Sequence, residues 1–330
     1  MKDESKLIRL FCNLLFCIFT FCFVFFYQAD TLTIAQHIAS NGQTHYVSWL
    51  GAILITLTLQ LLQWAVNSLF KLKKRGYALT FFPSVLFLTV ITDINPDTSN
   101  TITFGAWAWI APLLLVIWGA SMVYIKNYEP YEPALRGEGL GSQLFWVNNL
   151  IMLLMFCSMG LYSNSDSLFH KKAHIEALVR NKEYSEALKV IQKCGLSDST
   201  TTMLTIYSLA HKGQLANKLF EYNLVGGKDV LRPGKVHSLL IQDSIIHKAT
   251  KKSAQYQLVG FLLDKNLEKF AHYVRIYYPN DSLLPRYYKE AYNLKKSLIS
   301  EESLYHLIKK VVTRSITMKN YENNPCFRFI

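Results

Sequence analysis

At 330 residues, 51% of them hydrophobic and 14% aromatic, the chain has room for two domains. Its formal charge of +12 is unevenly spread: nine Lys and Arg accompany eight Asp and Glu up to residue 165, against twenty-six and fifteen beyond it. The six cysteines include no CxxC and form no disulfide framework.

What sets the class is clustering: the long uncharged runs lie before residue 165. A bilayer core needs about 20 apolar residues in helical form, with a working range of about 17–25. The first run, 10–27, follows Lys2, Lys6 and Arg9 and contains only Asn13 as a strongly polar residue. Its apolar length exceeds a signal-peptide core and Tyr27-Gln28-Ala29 is a poor cleavage site, so it reads as an uncleaved signal-anchor. The second span, 47–70, stops at Lys71, Lys73, Lys74 and Arg75. The third, 77–92, is the weakest, with 16 uncharged residues and Pro83. The fourth, 103–125, carries Trp107, Trp109, Trp118 and Tyr124 where aromatic belts sit, and contains Pro112; the fifth is 144–162. Pro83 and Pro112 are expected near kinks, which a bundle can accommodate.

Lys and Arg alternate between the short loops: three before the first span, none in 28–46, four in 71–76, none in 93–102, two in 126–142. The positive-inside rule then puts the N-terminus in the cytoplasm and, after five crossings, the tail outside, which in a Gram-negative cell is the periplasm. If 77–92 does not cross, the tail is cytoplasmic, and Lys126 and Arg136 fall on the wrong side.

From residue 165 the apolar spacing becomes that of amphipathic helices. Helices are expected at 168–180, within 181–194, from the cap-rich 197–202 to about 211, and at 215–222, 235–248, 253–264, 267–277, 284–297 and 301–319, with a Gly/Pro connection at 226–234 and an extension at 320–330. The stretch Asn181–Cys194 resembles the second helix of a tetratricopeptide repeat: Ala187 and Cys194 let a partner helix, 168–180, approach, while Tyr184 and Ile191 fill the groove. A second repeat is degenerate and the rest merely helical. The predicted fold class is therefore all-α: a polytopic transmembrane bundle, 1–164, followed by an irregular tetratricopeptide-like tail, 165–319.

Three stretches, Tyr77–Ser84 (YALTFFPS), Leu209–Tyr222 (LAHKGQLANKLFEY) and Leu284–Ala291 (LPRYYKEA), together with this layout resemble a family of functionally uncharacterised bacterial multi-pass membrane proteins with a tetratricopeptide-like periplasmic tail. The resemblance implies architecture and an inner-membrane location, and no activity.

The search for chemistry finds no catalytic set. In the first outward loop, Asp30, His37 and His45 form a polar group that could touch a metal or substrate, but a spacing of eight specifies no geometry. Asp93, in the next outward loop, could join Asp30 as the second carboxylate of a transferase using lipid-linked sugars. His170 and His174 share a helix face without an HExxH, and His306 is unaccompanied. A transporter usually buries ionisable residues, and none lies inside any span. Gln60, Gln63 and Asn67 share one face of the second helix, and Asn148 and Asn149 sit early in the fifth; they read as interhelical hydrogen-bonding groups or as a polar path. Arg136–Ser142 matches neither a P-loop nor GxGxxG. Cys194 and Cys326 could pair in an oxidising compartment, the other cysteines lying in apolar runs. No cofactor and no metal is expected. The expected partners are membrane lipids, a protein held by the helical tail, and anionic headgroups; scattered lysines without an aromatic platform argue against nucleic acid. The leading expectation is a non-enzymatic scaffold, followed by a transferase or accessory subunit acting on lipid-linked or envelope substrates, then a small-solute transporter.

Overall fold

The computed structural model describes residues 2–72, 75–94, 102–129, 141–241, 254–280 and 283–297. Every regular element among them is helical. The chain divides into two compact units, Met1–His170 and Lys171–Ile330. The helix expected at 301–319, the extension 320–330, Cys326, His306 and the loop stretch 130–140 lie outside the described residues.

In the first unit, α1 (Lys2–Cys22) runs on through a π-helical turn, Phe23–Tyr27. Next come α2 (Ala29–Ala39), α3 (Ser48–Phe70), a 3₁₀ turn (Tyr77–Phe81) leading into α4 (Phe82–Thr92), α5 (Trp107–Tyr128) and α6 (Gln143–Tyr162). Four helices are long and apolar enough to cross a membrane: Lys6–Tyr27, Ser48–Phe70, Trp107–Tyr128 and Gln143–Tyr162. At 20 to 23 residues each, they measure about 30–35 Å. The segment 77–92 is shorter, five residues of 3₁₀ turn and eleven of α-helix, or about 26 Å.

That short segment is the most enclosed of the five. Tyr77, Ala78, Thr80, Phe81, Ser84, Val85, Leu88, Thr89 and Thr92 are buried, and it packs against α3, α5 and α6. Pro83 stands in the first turn of α4, where its missing N–H costs no helical bond, so the 3₁₀-to-α junction falls there without a break. Phe16, Leu59, Met152 and Met159 share a core cluster with its Phe81, Val85 and Leu88. Phe19 stacks on Phe156 at 3.8 Å and Phe16 meets Phe81 at 4.9 Å, bringing α1 to both α6 and the short segment. By contrast, α5 leaves Trp109, Leu113, Val116, Ile117 and Tyr124 exposed, as a helix facing hydrocarbon would.

The first loop departs from expectation. Residues 29–39 form α2, with Asp30 in its first turn complementing the helix dipole and Thr31, Leu32 and Ile34 buried. Its polar composition hides that short apolar face.

The second unit begins within α7 (Ser167–Arg180) and continues through α8 (Tyr184–Cys194), α9 (Ser199–His211), a single turn α10 (Leu215–Lys218) and 3₁₀ turns at Leu219–Glu221 and Gly227–Leu231. The later helices are α11 (Ala254–Leu263), α12 (Leu267–Tyr277) and α13 (Arg286–Ser297). Left-handed residues end several of these helices: Lys182 follows α7, Gly195 closes α8 and Gly213 follows α9. Asp198 caps α9 by accepting from Thr201 N at 2.7 Å. The closest neighbour of α8 is α9 rather than the expected α7. Tyr184 lies parallel to His211 at 4.8 Å and meets Tyr207 at 6.1 Å, while Ala187 and Ile191 are buried. Burial in that aromatic stack, with Lys182 nearby, holds His211 below its ordinary pKa. Two expected helices are cut short. Only one α-turn forms in 215–222, and the described part of 235–248, residues 235–241, is non-helical after Gly234 at φ +69°.

Candidate functional site

The first unit holds polar side chains at two levels along its helices. At the first, Asn13 of α1, Gln60 and Gln63 of α3, and Tyr77 and Thr80 of the 3₁₀ turn form one network. Gln60 Nε2 donates to Asn13 Oδ1 (3.3 Å) and Gln63 Oε1 (3.0 Å). Gln63 Nε2 donates to Thr80 Oγ1 (2.9 Å) and Tyr77 Oη (3.3 Å), and Tyr77 Oη donates to Asn13 Oδ1 (3.1 Å). At the same level Asn148 Oδ1 accepts from Ala78 N at 2.9 Å, satisfying an N–H that the start of the turn leaves without a helical partner. Asn67, one turn further along α3, is not part of this network, and its Oδ1 is buried without a hydrogen bond.

The second level is organised around Asn164, just past α6. Its Nδ2 donates to Ile94 O (2.9 Å) and its N to Thr92 O (3.3 Å). Its carbonyl accepts from Gln28 Nε2 (3.2 Å) and His170 Nε2 (2.9 Å), and its Oδ1 accepts from Asp166 N (3.0 Å). One asparagine thereby ties together the ends of α1 and α4 and the start of α7. Because a carbonyl only accepts, His170 carries its proton on Nε2, leaving Nδ1 facing Thr31 Oγ1 at 3.5 Å. The His170 ring also rests 5.0 Å from Tyr27. A hydroxyl beside an imidazole suggests an activated nucleophile, yet Thr31 is fully buried, where no substrate reaches it.

The residues singled out in loops 28–46 and 93–102 sit in differing surroundings. Asp30 is half-buried in the first turn of α2. The ring of His37 packs against Gly42, where an added Cβ would sit 3.0 Å from it, whereas His45 is exposed beyond the helix. Asp93 accepts from the indole of Trp107 at 2.6 Å. His174 is exposed, one turn after the inward-facing His170. Among the described residues no three His, Cys, Asp or Glu side chains are grouped to hold a metal ion. Cys194 ends α8 half-buried, and its proposed partner Cys326 is outside the described residues.

A titratable group that sequence reading passed over lies in the tail. Glu176 of α7 is 3% exposed; its Oε2 accepts from Ser238 Oγ and Leu240 N, each at 2.9 Å. Ser238 Oγ in turn accepts from Ile241 N at 3.2 Å. The carboxylate thus fastens the 238–241 turn to the first tail helix. Burial dominates its chemistry and pushes its pKa up to about 7, against the bonds from Ser238 and the backbone, with Asp198 adding to the rise. Asp198 itself, though half-buried, is held below the usual carboxylate range by Lys172 and by Thr201. The available signal for Glu176 was its place three residues from both Ala173 and Val179, on the buried face of α7.

No family model, curated protein or solved structure matches the chain.

Proposed function

We propose that the chain is a five-crossing anchor of a bacterial inner membrane that presents a basic, tetratricopeptide-like helical tail outside the cytoplasm as a binding platform for a protein partner. The observation that supports five crossings is a match in depth. Ala78 bonds to Asn148, and sixteen residues later along both segments Ile94 bonds to Asn164. The short segment therefore travels as far as α6 over the same interval, parallel to it. Trp118 Nε1 donates to Leu79 O and Trp107 Nε1 to Asp93, so α5 returns antiparallel over that distance. With an odd number of crossings, and Lys6, Arg9, Lys71, Arg75 and Lys126 all at one end, the N-terminus is cytoplasmic and the tail is not.

Two features favour a platform over an enzyme. The interior polar groups bond to one another across helices, as bundle-fastening groups do. The tail packs α8 against α9 and α11 against α12, and helix pairs of this kind, if repeated, offer extended surfaces to other proteins. The deciding experiment fuses a reporter active only outside the cytoplasm after Ser165. Activity is expected; activity of a cytoplasm-only reporter at the same position would overturn the orientation. Cross-linking through cysteines placed on the exposed side of α8 should then capture a discrete protein, and a tail that captures none would remove the platform reading.

A further inference from the structure

The connection 71–76, between α3 and the short segment, carries four cations and no acid. It folds tightly against the end of α5. Leu72 is 1% exposed, and a Cβ added at Gly76 would lie 3.2 Å from Leu72 Cδ1 and 2.7 Å from Ile125 Cγ2. Residues 72, 76 and 125 thus meet in one contact, and each has a cation as its chain neighbour: Lys71, Arg75 and Lys126. Two separate elements thereby bring three positive charges to one end of the first unit.

Nothing local requires those charges. Lys71 closes α3 at φ +57°, a left-handed position that glycine fills at less cost. Arg75 stands just before the N-terminal end of the 77–92 helix, where the helix dipole opposes a cation. Its Nε is buried without a hydrogen bond, a costly state for a guanidinium unless an anion lies against it. Among the described residues none of the three has a carboxylate partner, and Glu129, three residues past Lys126, is itself engaged.

The kind of anion follows from where these ends lie. α3 and α5 are two of the four helices long and apolar enough to cross a membrane, so their charged ends fall at headgroup level whichever way the chain runs. Two and three residues further into the helices, Leu69 is 71% and Val123 53% exposed. A free anion makes no use of such side chains, whereas a phospholipid brings its phosphate and its acyl chains to the two together.

We propose that Lys71, Arg75 and Lys126 bind the phosphate of an anionic phospholipid, Arg75 through its planar fork and the lysines as point charges, with acyl chains along Leu69 and Val123. The assignment rests on the anchor reading and gives the anchor a specific lipid, which in the proposed orientation belongs to the cytoplasmic leaflet.

Native mass spectrometry of the full-length protein in a non-ionic detergent, titrated with phosphatidylglycerol or phosphatidylcholine, tests it. Phosphatidylglycerol should be retained in preference. Lys71→Gln and Lys126→Gln should each weaken that retention about fivefold, the usual worth of one cation at an anionic surface. Arg75→Gln should weaken it by about fivefold or more, and Arg75→Lys, which keeps the charge and loses the fork, by less. Lys218→Gln, an exposed cation of the tail, should leave it unchanged. Equal retention of the two lipids, or an Arg75→Gln protein that behaves as Lys218→Gln does, would overturn the proposal. Should Arg75→Gln fail to fold, unchanged retention in both Arg75→Lys and Lys126→Gln would overturn it instead. Inorganic phosphate retained in the absence of lipid, and lost in Lys126→Gln, would make free phosphate the ligand and overturn the lipid assignment. Extraction of membranes with alkaline carbonate is run beside it. A protein that stays in the membrane without a lipid preference sinks only this inference, whereas release from the membrane sinks the anchor reading.

Discussion

Replacing Glu176 by Gln should remove a pH dependence from the stability of the second unit. The carboxyl has a pKa of about 7 in the folded protein, against 4.5 for an ordinary glutamate. A raised carboxyl pKa means that the folded state keeps a proton the unfolded chain has already released. Stability therefore falls as pH rises from about 4.5 to about 7 and stays at its lower value above that. A rise of this size corresponds to about 3 kcal/mol, an order-of-magnitude figure for so buried a group. Gln has the same shape, and its carbonyl can still accept from Ser238 Oγ and Leu240 N, but it carries no charge. Glu176→Gln should thus match the unmodified protein near pH 5 and exceed it near pH 8, by about 3 kcal/mol less about 1 kcal/mol for an amide N–H without a buried acceptor. Hydrogen exchange of the full-length protein in detergent, followed on peptides spanning 171–180 and 236–241 and corrected for intrinsic rates, gives the opening free energy at each pH. A pH slope that persists in Glu176→Gln, or no slope in the unmodified protein between pH 5 and 8, would refute the assignment.

Gln63→Leu should destabilise the membrane unit by about 1–2 kcal/mol, since two donated bonds of roughly 0.6 kcal/mol each are lost and the Tyr77 and Thr80 oxygens lose a donor; thermal unfolding in detergent measures it, and an unchanged midpoint would contradict the network. Gly226→Ala should cost the tail about 1–3 kcal/mol, because residue 226 has φ +98° and an added Cβ would lie 2.7 Å from both Ser199 Oγ and Val230 Cγ1; faster exchange around 199–206 is the readout. Replacing Asp30, His37 and His45 together by Ala should leave complementation of a deletion strain intact at normal expression, and loss of complementation would favour an enzyme at the outward face.

Four of the long apolar helices were legible because length without charge is a one-dimensional property. Gln60 and Gln63 were legible as sharing a face, but their partners Asn13, Tyr77 and Thr80 were not, because the sequence does not say which helices are neighbours. Asn67 shares that face and stays outside the network, since the 3₁₀ turn offers its hydroxyls only at the level of Gln63. The helix at 29–39 was missed because its buried residues, Thr31, Leu32 and Ile34, are few and include a polar one, and Leu32 and Ile34, two apart, make no helical apolar stripe. Glu176 and Asn164 were missed for a common reason: a buried polar residue is identified by what bonds to it, and Ser238 and Ile94 are 62 and 70 residues away. Helix 235–248 was expected from spacing alone, which cannot register that the chain turns at 238–241 to meet a carboxylate.

The paired anchors at Asn148 and Asn164 carry a mechanical consequence. Each rivets the short segment to α6, and the interval between them is fixed at sixteen residues, or about 24 Å of helix. A segment pinned at both levels cannot slide along α6, so inserting or deleting a residue in either stretch between the anchors must break one of the two contacts.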